Sequence, residues 1–131
     1  MTITRDLYAA RNRDFAPTLE LDYSGAPLSL VGAMISMQVR LYARALGPPL
    51  AEHLAVDFTD SAHESDGSLR TLSVFPVIAR EVLEALPTGL VQPEVGQADQ
   101  YAYEIKLTYA DSPQDALWIG AFILEPGVDN T

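Results

Sequence analysis

The chain has 131 residues, 48% apolar and 20% charged, and no cysteine. That length fits one domain spanning residues 1–131, large enough to bury about two-thirds of its unfolded surface, and the missing thiols exclude disulfides, thiolate metal sites and cysteine nucleophiles. Eighteen acids against eight bases give a net charge of -10, which repels phosphate backbones and anionic headgroups and argues against nucleic-acid and membrane partners.

Residues 1–20 scatter Arg5, Asp6, Arg11, Arg13 and Asp14 among the apolar positions, so no apolar core of signal-peptide length forms. The longest apolar run, Leu28 to Met37, is about 10 residues, against about 20 for a spanning helix. The expectation is a soluble chain without an export signal.

Taken in chain order, the pattern is mainly of period two. A short strand is expected within residues 3–9. Leu19, Leu21 and Tyr23 alternate with Thr18, Glu20 and Asp22, a half-buried strand that Pro17 places at an edge or a strand start. Residues 34–44 repeat the alternation, with Arg40 and Arg44 on the wet face, until Gly47-Pro48-Pro49 stops it. Leu54, Val56 and Phe58 predict the next strand. The polar loop 60–67 follows, whose Asp66-Gly67 pair favours positive φ, and residues 69–75 return as a hairpin partner.

The segment 77–86 departs from this pattern. Ile78, Val82, Ala85 and Leu86 fall on one helical face, and Pro76 and Pro87-Thr88-Gly89 bracket it, predicting a short helix that lids one end of a sandwich. Residues 90–99 have no clean period and read as a loop or insertion. Tyr101, Tyr103, Ile105, Leu107 and Tyr109 then share a face, and residues 116–124 are nearly all apolar, which predicts a strand covered on both sides or an interface. About seven strands, one short helix (about 77–86) and no βαβ rhythm predict an all-β, immunoglobulin-like antiparallel sandwich.

Chemistry is sparse. No Gly-x-Ser-x-Gly is present, and the only histidines are His53 and His63. The loop Asp60 to Gly67 holds three carboxylates and His63 but lacks the order of a calcium loop, so it reads as a solvated hairpin tip. Glu81 and Glu84 read as helix solvation. Gly25, Gly32 and Gly47 are isolated and make no phosphate loop. Tyr101, Tyr103 and Tyr109 read as a core stripe rather than a base-stacking platform, and Trp118 as core or a buried interface. No catalytic, cofactor or metal residue is assigned.

One resemblance covers most of the chain at both ends. Tyr101-Ala102-Tyr103-Glu104-Ile105-Lys106-Leu107-Thr108, a polar turn, and Ile119 to Val128 with its Pro126-Gly127 resemble the last hairpin of the N-terminal immunoglobulin-like domain of phage baseplate upper proteins and related tail modules. Asn12-Arg13-Asp14-Phe15, Leu19-Glu20-Leu21 and Gly25-Ala26-Pro27-Leu28-Ser29-Leu30-Val31-Gly32-Ala33 look like that family's opening. Glu104 stands where the family has Asp, Ser29 replaces an Asp and Val31 a Thr. The resemblance implies a non-enzymatic tail or baseplate structural module. Its partners would be other tail subunits or further copies of itself, and it would be present in the bacterial cytoplasm during assembly and then in the virion. The alternative is a free-standing cytoplasmic sandwich binding a small molecule or sugar, with its pocket under the 77–86 helix.

Overall fold

Strict alternation of inward and outward side chains builds most of the molecule. In the computed structural model, which describes residues 2–131, β3 (Leu19–Ser24) buries Leu19, Leu21 and Tyr23 and exposes Glu20, Asp22 and Ser24. It pairs antiparallel with β7 (Leu69–Phe75), which pairs in turn with β6 (Asp57–Ala62). The opposing sheet runs β9 (Gln114–Glu125), β8 (Asp99–Thr108), β4 (Met34–Arg40), β5 (Ala51–His53). Its far edge is closed by β1 (Ile3–Thr4) and β2 (Leu7–Ala10), both parallel to β9. This is an immunoglobulin-like β-sandwich with one helix, α1 (Arg80–Glu84), on the connection from β7 to β8. Among the described residues no helix is long and apolar enough to cross a membrane.

The core lies between the sheets. Leu21 and Leu72 from one sheet, with Met37, Ile105, Trp118 and Phe122 from the other, are at most 2% exposed. Each such side chain contributes about 1.5–3 kcal/mol on burial. Phe15 meets Phe122 edge to face, with ring centroids 5.2 Å apart. Tyr101, Tyr103 and Trp118 are core, as their spacing predicts, whereas Tyr109 lies past the end of β8 and is half-buried. The Trp118 Nε1 has no hydrogen-bond partner, so this indole stabilises through area alone.

Several boundaries differ from the sequence reading, each for a physical reason. The strand count among the described residues is nine rather than seven. The N-terminal strand is broken at Arg5-Asp6 into two pieces, and the three-residue β5 follows two prolines too closely to show a period. β6 begins three residues later than the Leu54-Val56-Phe58 alternation predicts, and Leu54 is exposed. It runs on through Asp60, whose carboxylate accepts from the Tyr23 hydroxyl at 2.8 Å and pairs with Arg70 at 3.4 Å, so a polar residue occupies a half-buried position. β4 ends at Arg40, not at residue 44, because the chain turns there.

The helix spans five residues instead of about ten. Ile78 is extended and bridges Phe15, and the buried helical residue is Leu83, while Val82 is 40% exposed. Gly67 does not adopt a left-handed φ. That turn is held by side chains instead: Asp66 accepts from the Ser68 amide and hydroxyl, which lowers its pKa, and the His63 Nδ1 accepts from the Ser65 and Asp66 amides.

Candidate functional site: an open groove on the larger sheet

The two outer faces of the sandwich differ in chemistry. The smaller sheet presents Glu20, Ser73 and Thr59 in one row and Asp22, Thr71 and Ser61 in the next, all suited to water. The outward rows of the larger sheet instead place Ile119 beside Glu104, Ala121 beside Ala102, and Tyr8 beside Ile123. Tyr8 is 62% and Ile119 37% exposed. A face of this kind is left unfinished in the isolated chain.

A groove of about 420 Å³ crosses this face. Ala102, Ile119 and Gly120 of the sheet line it, with Tyr42, Ala43 and Arg44 of the β4–β5 connection. Arg40 holds that connection in place. Its Nη1 donates to the carbonyls of Ala45 at 3.0 Å and Gly47 at 2.7 Å, and its Nη2 donates to Gln38 Oε1 at 3.1 Å. Three neutral acceptors fix the guanidinium without neutralising it. Arg44 has a φ of 67°, a left-handed conformation that costs a non-glycine residue about 1 kcal/mol or more. Among the described residues neither Arg40, Arg44 nor Glu104 forms an ion pair, although all three line the groove.

The residues weighed from sequence lie elsewhere. His53 accepts a hydrogen bond from the Val77 amide through Nδ1 and ties the end of β5 to the β7–α1 connection. His63 has Nδ1 occupied by two backbone donors, and its Nε2 lies 3.6 Å from Asp22 Oδ2, while Asp22 Oδ1 accepts from Thr71 Oγ1 at 2.7 Å. With Nδ1 committed as an acceptor, Nε2 carries the proton, and the ring has no free lone pair to act as a base. No group of three or more potential metal ligands occurs among the described residues. Glu84 pairs with Arg80 one turn away, and Glu81 is exposed in the first turn of α1.

Sequence reasoning missed a buried polar knot beside the helix. Asp99 is 8% exposed and opens β8, in the segment read as an insertion. Its Oδ2 pairs with Arg11 Nη2 at 2.9 Å, and its Oδ1 accepts from the Gly89 amide at 3.0 Å. Arg11 Nη1 donates to the Leu83 and Leu86 carbonyls at the end of α1, and the Tyr101 hydroxyl donates to the Pro87 carbonyl. The Arg11 Nη groups, the Asp99 carboxylate and the Tyr101 hydroxyl are all paired within the knot, which positions the elements around it.

Burial also marks the tyrosines of β8. It raises the Tyr101 pKa and pushes Tyr103 up to about 12, where the hydroxyl donates to the Arg5 carbonyl at 2.5 Å. An unfolded tyrosine titrates near 10. The folded protein therefore holds this proton to higher pH than the unfolded chain does, and unfolding releases it above pH ~10. The contribution is intact below pH ~10 and is lost as pH rises through about 12. The thermal midpoint should fall across that window in step with tyrosinate absorbance, and the fall should be shallower in Tyr103→Phe.

In comparisons with known proteins, no family model and no curated protein matches the chain.

Proposed function

We propose that this chain is a non-enzymatic docking module of a phage or prophage tail or baseplate. The observation that carries the docking role is the open groove on the outer face of the larger sheet, where Ala102 and Ile119 lie among Gln38, Arg40, Arg44 and Glu104. A rigid sandwich presenting such a face serves assembly, where a neighbouring subunit covers what the single chain leaves in water. The tail assignment rests on the resemblance of the closing hairpin, β8 and β9, and of the opening segments to baseplate modules. Mass spectrometry of particles from induced cultures of the source organism tests it. The expected result is a fixed small-integer ratio to a major tail protein, and absence from particles by a protein abundant in the cells would overturn it.

The groove's volume is the observation favouring a second reading, a small-molecule or sugar-binding sandwich, since about 300–1,000 Å³ is usual for ligand pockets. The site would be this groove and not the space under the helix, which Ile78, Leu83 and Leu86 fill. A thermal-shift screen with monosaccharides and small carboxylic acids that moves no midpoint removes this reading.

A further inference from the structure

An imidazole holds the tip of the β6–β7 hairpin. His63 Nδ1 accepts from the Asp66 amide at 2.9 Å and from the Ser65 amide at 3.2 Å, and both bonds need the ring's lone pair. Below the tip, the His63 amide donates to the Leu69 carbonyl and the Leu69 amide to the Asp66 carbonyl, closing the end of the ladder. Gly67 adds no left-handed backbone that would shape the turn without these side chains. An aspartate or asparagine in this place keeps its acceptor through the neutral range. Histidine does not, because it is the side chain that gains its charge between about pH 8 and 5. In the cation both ring nitrogens carry hydrogen, and an Nδ1–H would point at two N–H donors.

The surroundings of the ring favour that cation. From β3, Asp22 places Oδ2 3.6 Å from Nε2, and Glu20 lines the same shallow groove. From β7, Thr71 and Ser73 line it without charge. On the loop itself, Glu64 lines the groove and Asp66 turns its carboxylate to Ser68. Arg70 of β7 is directed away, pairing with Asp60, the cross-strand neighbour of the buried Leu72, on the core side of the sheet. Among the described residues the charged groups around the ring are therefore carboxylates, on a chain of net charge -10. The Nε2–H can stay toward Asp22 in either charge state. A proton gained at Nδ1 thus keeps the ring on β3 and costs the tip its two acceptor bonds.

We propose that His63 is a proton-operated latch on the β6–β7 tip. Neutral, it closes residues 63–68 into the observed turn; protonated, it stays with Asp22 and releases the Ser65 and Asp66 amides. The turn is intact where the imidazole is neutral and is lost as pH falls through the histidine range. The release is local. β6 and β7 remain paired from Asp57 to Ala62, because backbone bonds that do not titrate carry that ladder.

Nuclear magnetic resonance of the full, nitrogen-labelled chain, titrated from about pH 8 to about pH 5, tests this. His53→Asn serves to assign the ring signals, since it leaves one imidazole. At the alkaline end the expected result is an Nε2–H ring and a scalar coupling, carried through the N–H···N bond, between the Asp66 amide nitrogen and His63 Nδ1. On acidification that coupling should vanish. The Ser65 and Asp66 amide protons should move upfield along the same curve as the His63 ring carbons, while the amides of β8 stay in place. In His63→Asn the carboxamide oxygen can accept from the same amides without titrating, so both should hold their positions across the whole range. Four outcomes would each overturn the latch: no coupling at the alkaline end, a ring that titrates while the two amides stay still, a ring still neutral at the acid end, or the same amide movement in His63→Asn, which would assign it to the carboxylates.

Discussion

Arg11→Ala should destabilise the fold by about 3 kcal/mol, read as a lowered urea midpoint with unchanged slope. The guanidinium reaches the Leu83 and Leu86 carbonyls, the Asp99 carboxylate and the Tyr101 hydroxyl. Removing it strips the last turn of α1 of its donors. It also leaves Asp99, whose side chain is 11% exposed, as a carboxylate without its cation. Breaking one half of a buried pair costs about 3–5 kcal/mol, and the 22% exposure of the Arg11 side chain places this case at the lower end. Domains of this kind are stable by about 5–15 kcal/mol, so the variant sits near the edge of folding. Arg13→Ala, one turn of chain away and exposed, should cost under about 0.5 kcal/mol.

Gly120→Ala is the second large effect, at about 2 kcal/mol. The break between β1 and β2 lies against β9 at this residue, and a Cβ built there collides with the Arg5 carbonyl oxygen, a backbone atom with no freedom to swing aside. That carbonyl also receives the Tyr103 hydroxyl, and the Arg5 amide donates to the Ile119 carbonyl at 2.9 Å. The methyl therefore has to prise the break between β1 and β2 off the sheet. Amide exchange should quicken selectively at Arg5 and in β1, beyond the global loss of stability. Gly67→Ala, which meets nothing within 4 Å and needs no left-handed backbone, should be nearly silent.

Much of this fold was legible because its strands are wet on one side. β3, β4 and β8 each alternate cleanly, and period two identifies such strands whatever they pair with. β9 was harder to place. Its long apolar run fitted either a strand covered on both faces or an interface. The ladder shifts register between Ile105 and Lys106, leaving Leu117 as an extra residue, so Leu117 and Trp118 are both buried while Ile119 faces out. Short helices give the eye too few turns to fix a face, hence the exchange of Val82 for Leu83 as the buried residue.

The knot at Asp99 lay in a stretch of low periodicity, and a charged residue entering the interior leaves no mark in hydrophobic spacing. The groove was invisible for a similar reason. Period two marks Arg40 and Ala102 as outward, but it says nothing of a connection folding over that face, or of an arginine that spends its donors on carbonyls.

The parallel docking of the N-terminal strands on β9 has a consequence for biosynthesis. Ile3 pairs with Trp118 and Leu7 with Phe122, so β1 and β2 have no partner until β9, far along the chain, has left the ribosome. Until then β8 also lacks its main neighbour. The stretch Leu117-Trp118-Ile119-Gly120-Ala121-Phe122-Ile123-Leu124 emerges after all its partner strands, without charge, and with high strand propensity, the composition from which cross-β aggregates start. Asp115 on one side and Glu125 on the other stand as gatekeepers. Their charge is dispensable once β9 is seated between its neighbours, and it protects the chain in the interval before that, so neutralising both should lower the soluble yield far more than it lowers the melting temperature.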